Sequence, residues 1–242
     1  MVVKVYKDAA AIGAAAGMVF ASQVITKPDS VLGLATGSTP IPTYKFMIKA
    51  YEDGIVDYSK VTTFNLDEYV GLGHEHDQSY YYFMHDNLFN YINVPEESIN
   101  VLSGTAADPD KECAEYEARI DAAGGIDLQI LGIGRNGHIA FNEPADDFAD
   151  KTHKVALTES TIEANKRFFA SADDVPRYAV SMGIGSIMRA KKIILIATGA
   201  DKADAIYALV KGGVTPQCPA SILRMHSDVT IFCDEAAYSK CK

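Results

Sequence analysis

Short, mainly apolar runs rich in branched residues alternate with helix-length stretches along almost the whole chain. The runs at 2–6, 31–35, 61–66, 128–133, 178–182, 193–197 and 229–233 predict strands. Few of them show the polar–apolar alternation of a half-solvated strand, so burial on both faces is expected. Between them, 40–52, 79–91, 109–122, 161–169, 185–190, 201–210 and 219–225 predict helices. Such alternation points to an α/β fold, a mainly parallel sheet flanked by helices in three layers. No low-complexity linker interrupts it, so residues 1–242 read as one domain. Ligands of such sheets bind at the carboxyl ends of the strands.

The first helical stretch needs separate treatment. Residues 9–21 are almost wholly small or apolar, like the core of a secretion signal. Asp8, however, stands where a signal carries positive charge, and cleavage would discard the strand at 2–6. Asp8 instead suits a helix N-cap, with Ile12, Ala16, Phe20 and Val24 forming a buried stripe at every fourth position. This is the first helix of a cytoplasmic fold in our reading. No apolar run reaches the roughly 18 residues of a membrane span.

Composition narrows the partners. The chain has 32 acidic and 22 basic residues, a formal net charge of -10. Without a concentrated basic patch, nucleic acid and anionic lipid are disfavoured. A small phosphorylated ligand is not, because backbone amides and a few cations can hold it locally. Cys113, Cys218, Cys233 and Cys241 show no metal or disulfide spacing and read as reduced thiols.

Two strand ends suit an anion. In Thr36-Gly37-Ser38-Thr39-Pro40 the glycine permits a tight turn, the hydroxyls can donate, and Pro40 suits a helix start. Amides at that start, with the helix dipole, favour phosphate. The second, Thr198-Gly199-Ala200-Asp201-Lys202, echoes Ala35-Thr36-Gly37 and puts Lys202 in the first turn of a helix, where only a bound anion suits it.

Two further strand ends carry acid–base chemistry. The strand at 61–66 runs directly into Asp67 and Glu68. Side chains alternate along a strand, so one of the two, Asp67, is expected to face the site as a desolvated base. After the strand at 128–133, Gly132, Gly134 and Gly137 match a dinucleotide fingerprint. Pro144 follows too soon for the helix that fingerprint requires. The segment reads instead as a rigid loop presenting Asn136, His138 and Glu143. His74-Glu75-His76-Asp77 reads as a solvated loop, and His85, His153 and His226 carry no assigned role. No metal or cofactor is expected.

Three motifs in order, Phe64-Asn65-Leu66-Asp67-Glu68-Tyr69-Val70-Gly71, Ser79-Tyr80-Tyr81 and Gly137-His138-Ile139-Ala140-Phe141-Asn142-Glu143-Pro144, resemble the glucosamine-6-phosphate deaminase family. The likeness spans nearly the whole chain. Related 6-phosphogluconolactonases share the fold and a Gly-His loop, but their usual pattern lacks the Asp-Glu-Tyr-Val-Gly and Phe-Asn-Glu-Pro runs. The resemblance implies a modified Rossmann-type sheet and conversion of glucosamine 6-phosphate and water to fructose 6-phosphate and ammonia. It assigns Asp67 as the base between C2 and C1, and His138 as the proton shuttle for ring opening, steadied by Glu143. Asn136 stands where the family commonly has aspartate, so the main electrostatic support is expected from Glu143. Phosphate is assigned to Ser38, the amides of Thr36, Gly37 and Thr39, and the cations Arg167 and Lys202. Residues 153–180 correspond to a mobile lid. Longer members form hexamers controlled by an acetylated sugar phosphate. This chain has His153 and Val155 at the basic effector positions and stops at Lys242, so that control is expected to be absent and a monomer is expected. A sugar-phosphate sensor is the alternative outside enzymes, but binding alone would not require Asp67, and the basic DNA-binding segment usual in a regulator is missing.

Overall fold

The structure, a computed structural model, describes the chain except residues 167, 168, 170, 172 and 173 and the side chains of 160, 164 and 165. Ten strands alternate with seven α-helices among the described residues. The strands are β1 (Val2–Tyr6), β2 (Val31–Leu34), β3 (Thr62–Asn65), β4 (Asp67–Tyr69), β5 (Ile99–Asn100), β6 (Leu128–Leu131), β7 (His153–Ala156), β8 (Tyr178–Ser181), β9 (Ile193–Ala197) and β10 (Val229–Asp234). The helices are α1 (Ala9–Thr26), α2 (Ile41–Glu52), α3 (Tyr80–Asn87), α4 (Pro109–Ala122), α5 (Glu159–Asn165), α6 (Ile184–Met188) and α7 (Ala203–Lys211).

Seven strands form one parallel sheet in the order β1-β10-β9-β6-β2-β3-β5. Strands β2, β6 and β9 are buried at every position, which is why their sequences run apolar without alternation. The chain moves outward from β2 through β3 to β5, and from β6 the other way through β9 to β10. The topological switch point therefore lies between β2 and β6, and the crevice beyond their carboxyl ends is where a ligand belongs.

Helix α1 starts as expected: Asp8 Oδ1 accepts the Ala11 amide at 2.8 Å. The stripe of Ile12, Ala16, Phe20 and Val24 is buried against the main core. Its 18 residues and high mean hydropathy do match a membrane-crossing helix, which the sequence reading had set aside. In this fold α1 packs against α2, β10 and β1. The predicted helix at 219–225 is 3-10, Pro219–Met225.

One element escaped prediction. The run at 61–66 does not end in a loop. Leu66 donates its amide to Leu34 O (3.1 Å) in the main sheet, and its carbonyl accepts Met182 N at 2.8 Å. After this crossing, Asp67–Tyr69 starts a second, antiparallel sheet of order β4-β8-β7. Three residues rich in acid give no strand signal; pairing with β8 supplies it. This small sheet and α5 cover their own core of Tyr69, Phe141, Leu157, Ile162, Val175 and Ala179.

Candidate active site

Strands β9, β6, β2 and β3 are consecutive in the sheet. Their carboxyl ends carry, in the same order, the Gly199–Lys202 turn, the His138 loop, the Gly37–Thr39 turn and Asp67. Four segments far apart in sequence thus share one rim, two of them flanking the switch point.

At the end of β2, Gly37 has φ +91°, open to glycine and strained for other residues. Helix α2 begins at Ile41 with Pro40 as its cap, one residue later than the sequence suggested, and no side chain caps it. Among the described residues the amides of Gly37, Ser38 and Thr39 make no backbone hydrogen bond, so the turn offers free donors at a helix start. Lys202 closes a 3-10 turn, Ala200–Lys202, before α7. Its side chain is three-quarters buried, with Nζ 4.0 Å from Asp201. Arg167 lies outside the described residues.

At the end of β6 there is no helix, in keeping with rejection of the dinucleotide fingerprint. The loop folds on itself: Gly134 N bonds His138 O at 2.9 Å, and Gly137 N bonds Gly134 O at 3.1 Å. A Cβ on Gly134 would lie 2.4 Å from the His138 ring, so a glycine is what lets the imidazole settle there. Ala140, at φ +50°, is the one non-glycine with positive φ among the described residues, and it turns the chain back toward Glu143.

Glu143 is the hub. Its Oε1 lies 3.2 Å from His138 Nδ1. It also accepts the Thr161 hydroxyl, and its Oε2 accepts Asn136 Nδ2 at 2.6 Å. Burial alone would raise this carboxyl, but His138, Thr161 and Asn136 outweigh it and hold it at about 2. Glu143 therefore stays an anion beside the imidazole, as Asn136 in place of aspartate led us to expect. Asn136 itself does not touch the ring: its Oδ1 accepts the His138 backbone amide at 3.2 Å and its amide group steadies Glu143. Thr161, in α5, was missed; an ordinary helix-start pattern, Thr158-x-x-Thr161, hides the contact.

Asp67 and the His138 loop meet through β8. Asp67 pairs with Ser181 across the small sheet, and Ser181 Oγ accepts Phe141 N at 3.1 Å. Next in the chain, Met182 O accepts Asn142 Nδ2 at 2.8 Å. Both ends of the loop's last turn are thereby fixed to the strand that aligns Asp67.

Both carboxylates are buried, contrary to the expectation from alternation. Asp67 is 7% exposed and Glu68 1%. The strand is too short, and too enclosed by α3 and the 103–104 loop, for either side to reach solvent. Glu68 accepts the amides of Tyr80 (2.9 Å), Tyr81 (3.0 Å) and Tyr69 (2.8 Å), so it caps α3 alongside Ser79. Asp67 accepts no hydrogen bond from any described residue. Burial first, and then the Glu68 charge, push Asp67 up to about 8. Such a group is a carboxyl poised to exchange a proton near neutral pH. Asn65, two residues earlier, is fully buried with both carboxamide atoms unpartnered, a polar feature of the same rim that the sequence did not single out.

The family described as glucosamine-6-phosphate isomerases/6-phosphogluconolactonase matches residues 7–232 of this chain. The chain belongs to that family. Among its members, a glucosamine-6-phosphate deaminase of Clostridioides difficile (strain 630) is 57% identical over 240 residues, 99% of this chain and 96% of that protein. One from Clostridium novyi (strain NT) is 54% identical over 235 residues, covering 97% and 98%. The fold superposes on a glucosamine-6-phosphate deaminase described as monomeric, with a TM-score of 0.97, 41% identity, and 99% and 100% of the two chains covered. A 6-phosphogluconolactonase from Trypanosoma brucei, 18% identical, shares the family fold alone, with a TM-score of 0.81 over 100% of this chain and 98% of that one.

Proposed function

We propose that this chain converts glucosamine 6-phosphate and water to fructose 6-phosphate and ammonia. Relatives of that activity at 54–57% identity over nearly full length support the reading. The observation that carries it is the unpartnered, buried Asp67 carboxyl, joined through Ser181 to the loop holding His138 against Glu143. A lactone-hydrolysing site would need no such base beside C2 of a sugar.

The phosphate binds the Gly37–Thr39 amides, the Thr36 and Ser38 hydroxyls and Lys202, with Arg167 as second cation. His138, its Nδ1 toward the Glu143 anion, carries the hydroxyl proton from O1 to the ring oxygen as the sugar opens. Asp67 then takes the C2 proton of the open aldehyde and returns it to C1. C1 is reduced as C2 is oxidised, so the isomerisation needs no external electron carrier. The resulting C2 imine adds water and expels ammonia. Residues 153–180, whose α5 reaches Glu143 through Thr161, act as a lid in this reading, and the chain works as a single-domain monomer without metal or cofactor.

Ammonia release from glucosamine 6-phosphate, with neither nucleotide nor metal added, tests the proposal. Hydrolysis of 6-phosphogluconolactone without ammonia release from the amino sugar would overturn it.

A further inference from the structure

Glu68 and Asp67 are consecutive, both are more than nine-tenths buried, and neither forms an ion pair with any described lysine, arginine or histidine. Buried carboxylates ordinarily have a cationic partner or stay protonated. The groups facing Asp67 supply no cation: Glu68 and Tyr69 on its own strand, Tyr80 on α3, Tyr116 on α4, and Ser181 across the small sheet. The two carboxyls are also unequal. Three backbone amides at a helix start converge on Glu68 and favour its charged form, whereas Asp67 has no donor. Negative charge thus rests on Glu68 and the proton on Asp67. The fully buried, unpartnered carboxamide of Asn65 lies at the end of the strand leading into this pair, so polar groups without protein partners gather there.

We propose that Asp67 and Glu68 form a recognition site for positive charge, into which the ammonium group of the amino-sugar phosphate docks, displacing the Asp67 proton to solvent. The step balances as carboxylic acid plus ammonium giving a carboxylate–ammonium pair plus one released proton. Asp67 touches the substrate; Glu68 acts through it, as a positioning residue that keeps the second negative charge in place. The inference rests on the proposed reaction and deepens it: the same carboxylate that recognises the amine becomes, by ionising, the base of the next step. It also gives the acidic pair a reason to recur only where the sugar carries nitrogen at C2.

Two ligands without a C1 carbonyl, and so unable to react, test this: 2-amino-2-deoxyglucitol 6-phosphate and glucitol 6-phosphate. Calorimetric titration at pH 7 in two non-phosphate buffers of different ionisation enthalpy counts protons released. The amino ligand is expected to bind about tenfold or more tighter and to release close to ~1 proton, the hydroxyl ligand none. Asp67→Asn abolishes the release and the preference; Glu68→Gln lowers the proton count while binding of glucitol 6-phosphate persists. Equal proton counts for the two ligands, or an Asp67→Asn protein that keeps its preference, would overturn the inference. Neither outcome depends on turnover, so ammonia release without amine preference sinks this inference alone, and amine preference without ammonia release sinks the proposed reaction alone.

Discussion

Replacing Asp67 by asparagine should make the protein more stable and almost inactive. An unfolded chain ionises this carboxyl at its ordinary 3.8, whereas the fold holds it near 8. A raised carboxyl contributes its full stability below pH 3.8 and loses it progressively as pH rises toward 8. At about 1.4 kcal/mol per pH unit, keeping the proton on at pH 7 costs the fold about 4 kcal/mol as an upper bound. Relaxation around a side chain at the edge of a crevice removes part of this, and we expect about 2 kcal/mol to be recovered by the neutral, isosteric amide. For a chain of this size that corresponds to about 4–8 °C in Tm. Melting curves from pH 4.5 to 8.5 should show a gain near zero at the acidic end, rising to a plateau above pH 8. Solvent exchange of the substrate C2 proton, followed by NMR in heavy water, should fall about 10²–10⁴-fold. A gain equally large at pH 4.5 and 8, or preserved exchange, would refute the reasoning.

Glu143→Gln should do the reverse. Its carboxyl is held near 2 rather than 4.5, so its contribution is present above pH 4.5 and is lost as pH falls toward 2. Melting should therefore show a loss on the order of 1–2 kcal/mol at pH 7 that disappears near pH 2.5. Asn136→Asp puts a second carboxylate beside Glu143 in place of a donor, and should move the acidic limb of the pH–rate profile upward by about half a unit or more; an unmoved profile counts against the Asn136 assignment. Lys202→Met should raise KM about 10–100-fold with a smaller change in kcat, as loss of one charged hydrogen bond to phosphate requires. Gly104→Ala should cost several-fold in kcat and lower Tm, since a Cβ there would lie 2.1 Å from Tyr69 O and 2.6 Å from Leu72 O, displacing the segment after Asp67; steady-state kinetics and melting check both.

Much of the main sheet was legible because burial on both faces leaves a plain signal. Strand β9 was read residue for residue, and α1 down to its Asp8 cap. What escaped depends on long-range pairing. Nothing in Asp67-Glu68-Tyr69 announces a strand, since its partner β8 lies more than a hundred residues later. The alternation rule then failed for Glu68, whose three amide donors come from its own residue's neighbour and from α3. The histidine loop was legible from its glycines and Pro144, whereas the support that Thr161 and Ser181 give it was not. Hydroxyl residues are common, and only the fold shows which of them meet a carboxylate or an amide.

The placement of β10 between β1 and β9 bears on how the chain is made. Residues 2–6 leave the ribosome first, yet their hydrogen-bonding partners are 230–234. During synthesis β1 has no neighbour, and the flank of β9 stays bare. Such distant closure slows folding and leaves an adhesive edge waiting. A nascent chain stalled before residue 229 would be expected to hold the rim built by β2, β3 and β6 while depending on chaperones to keep its open side from sticking to other chains.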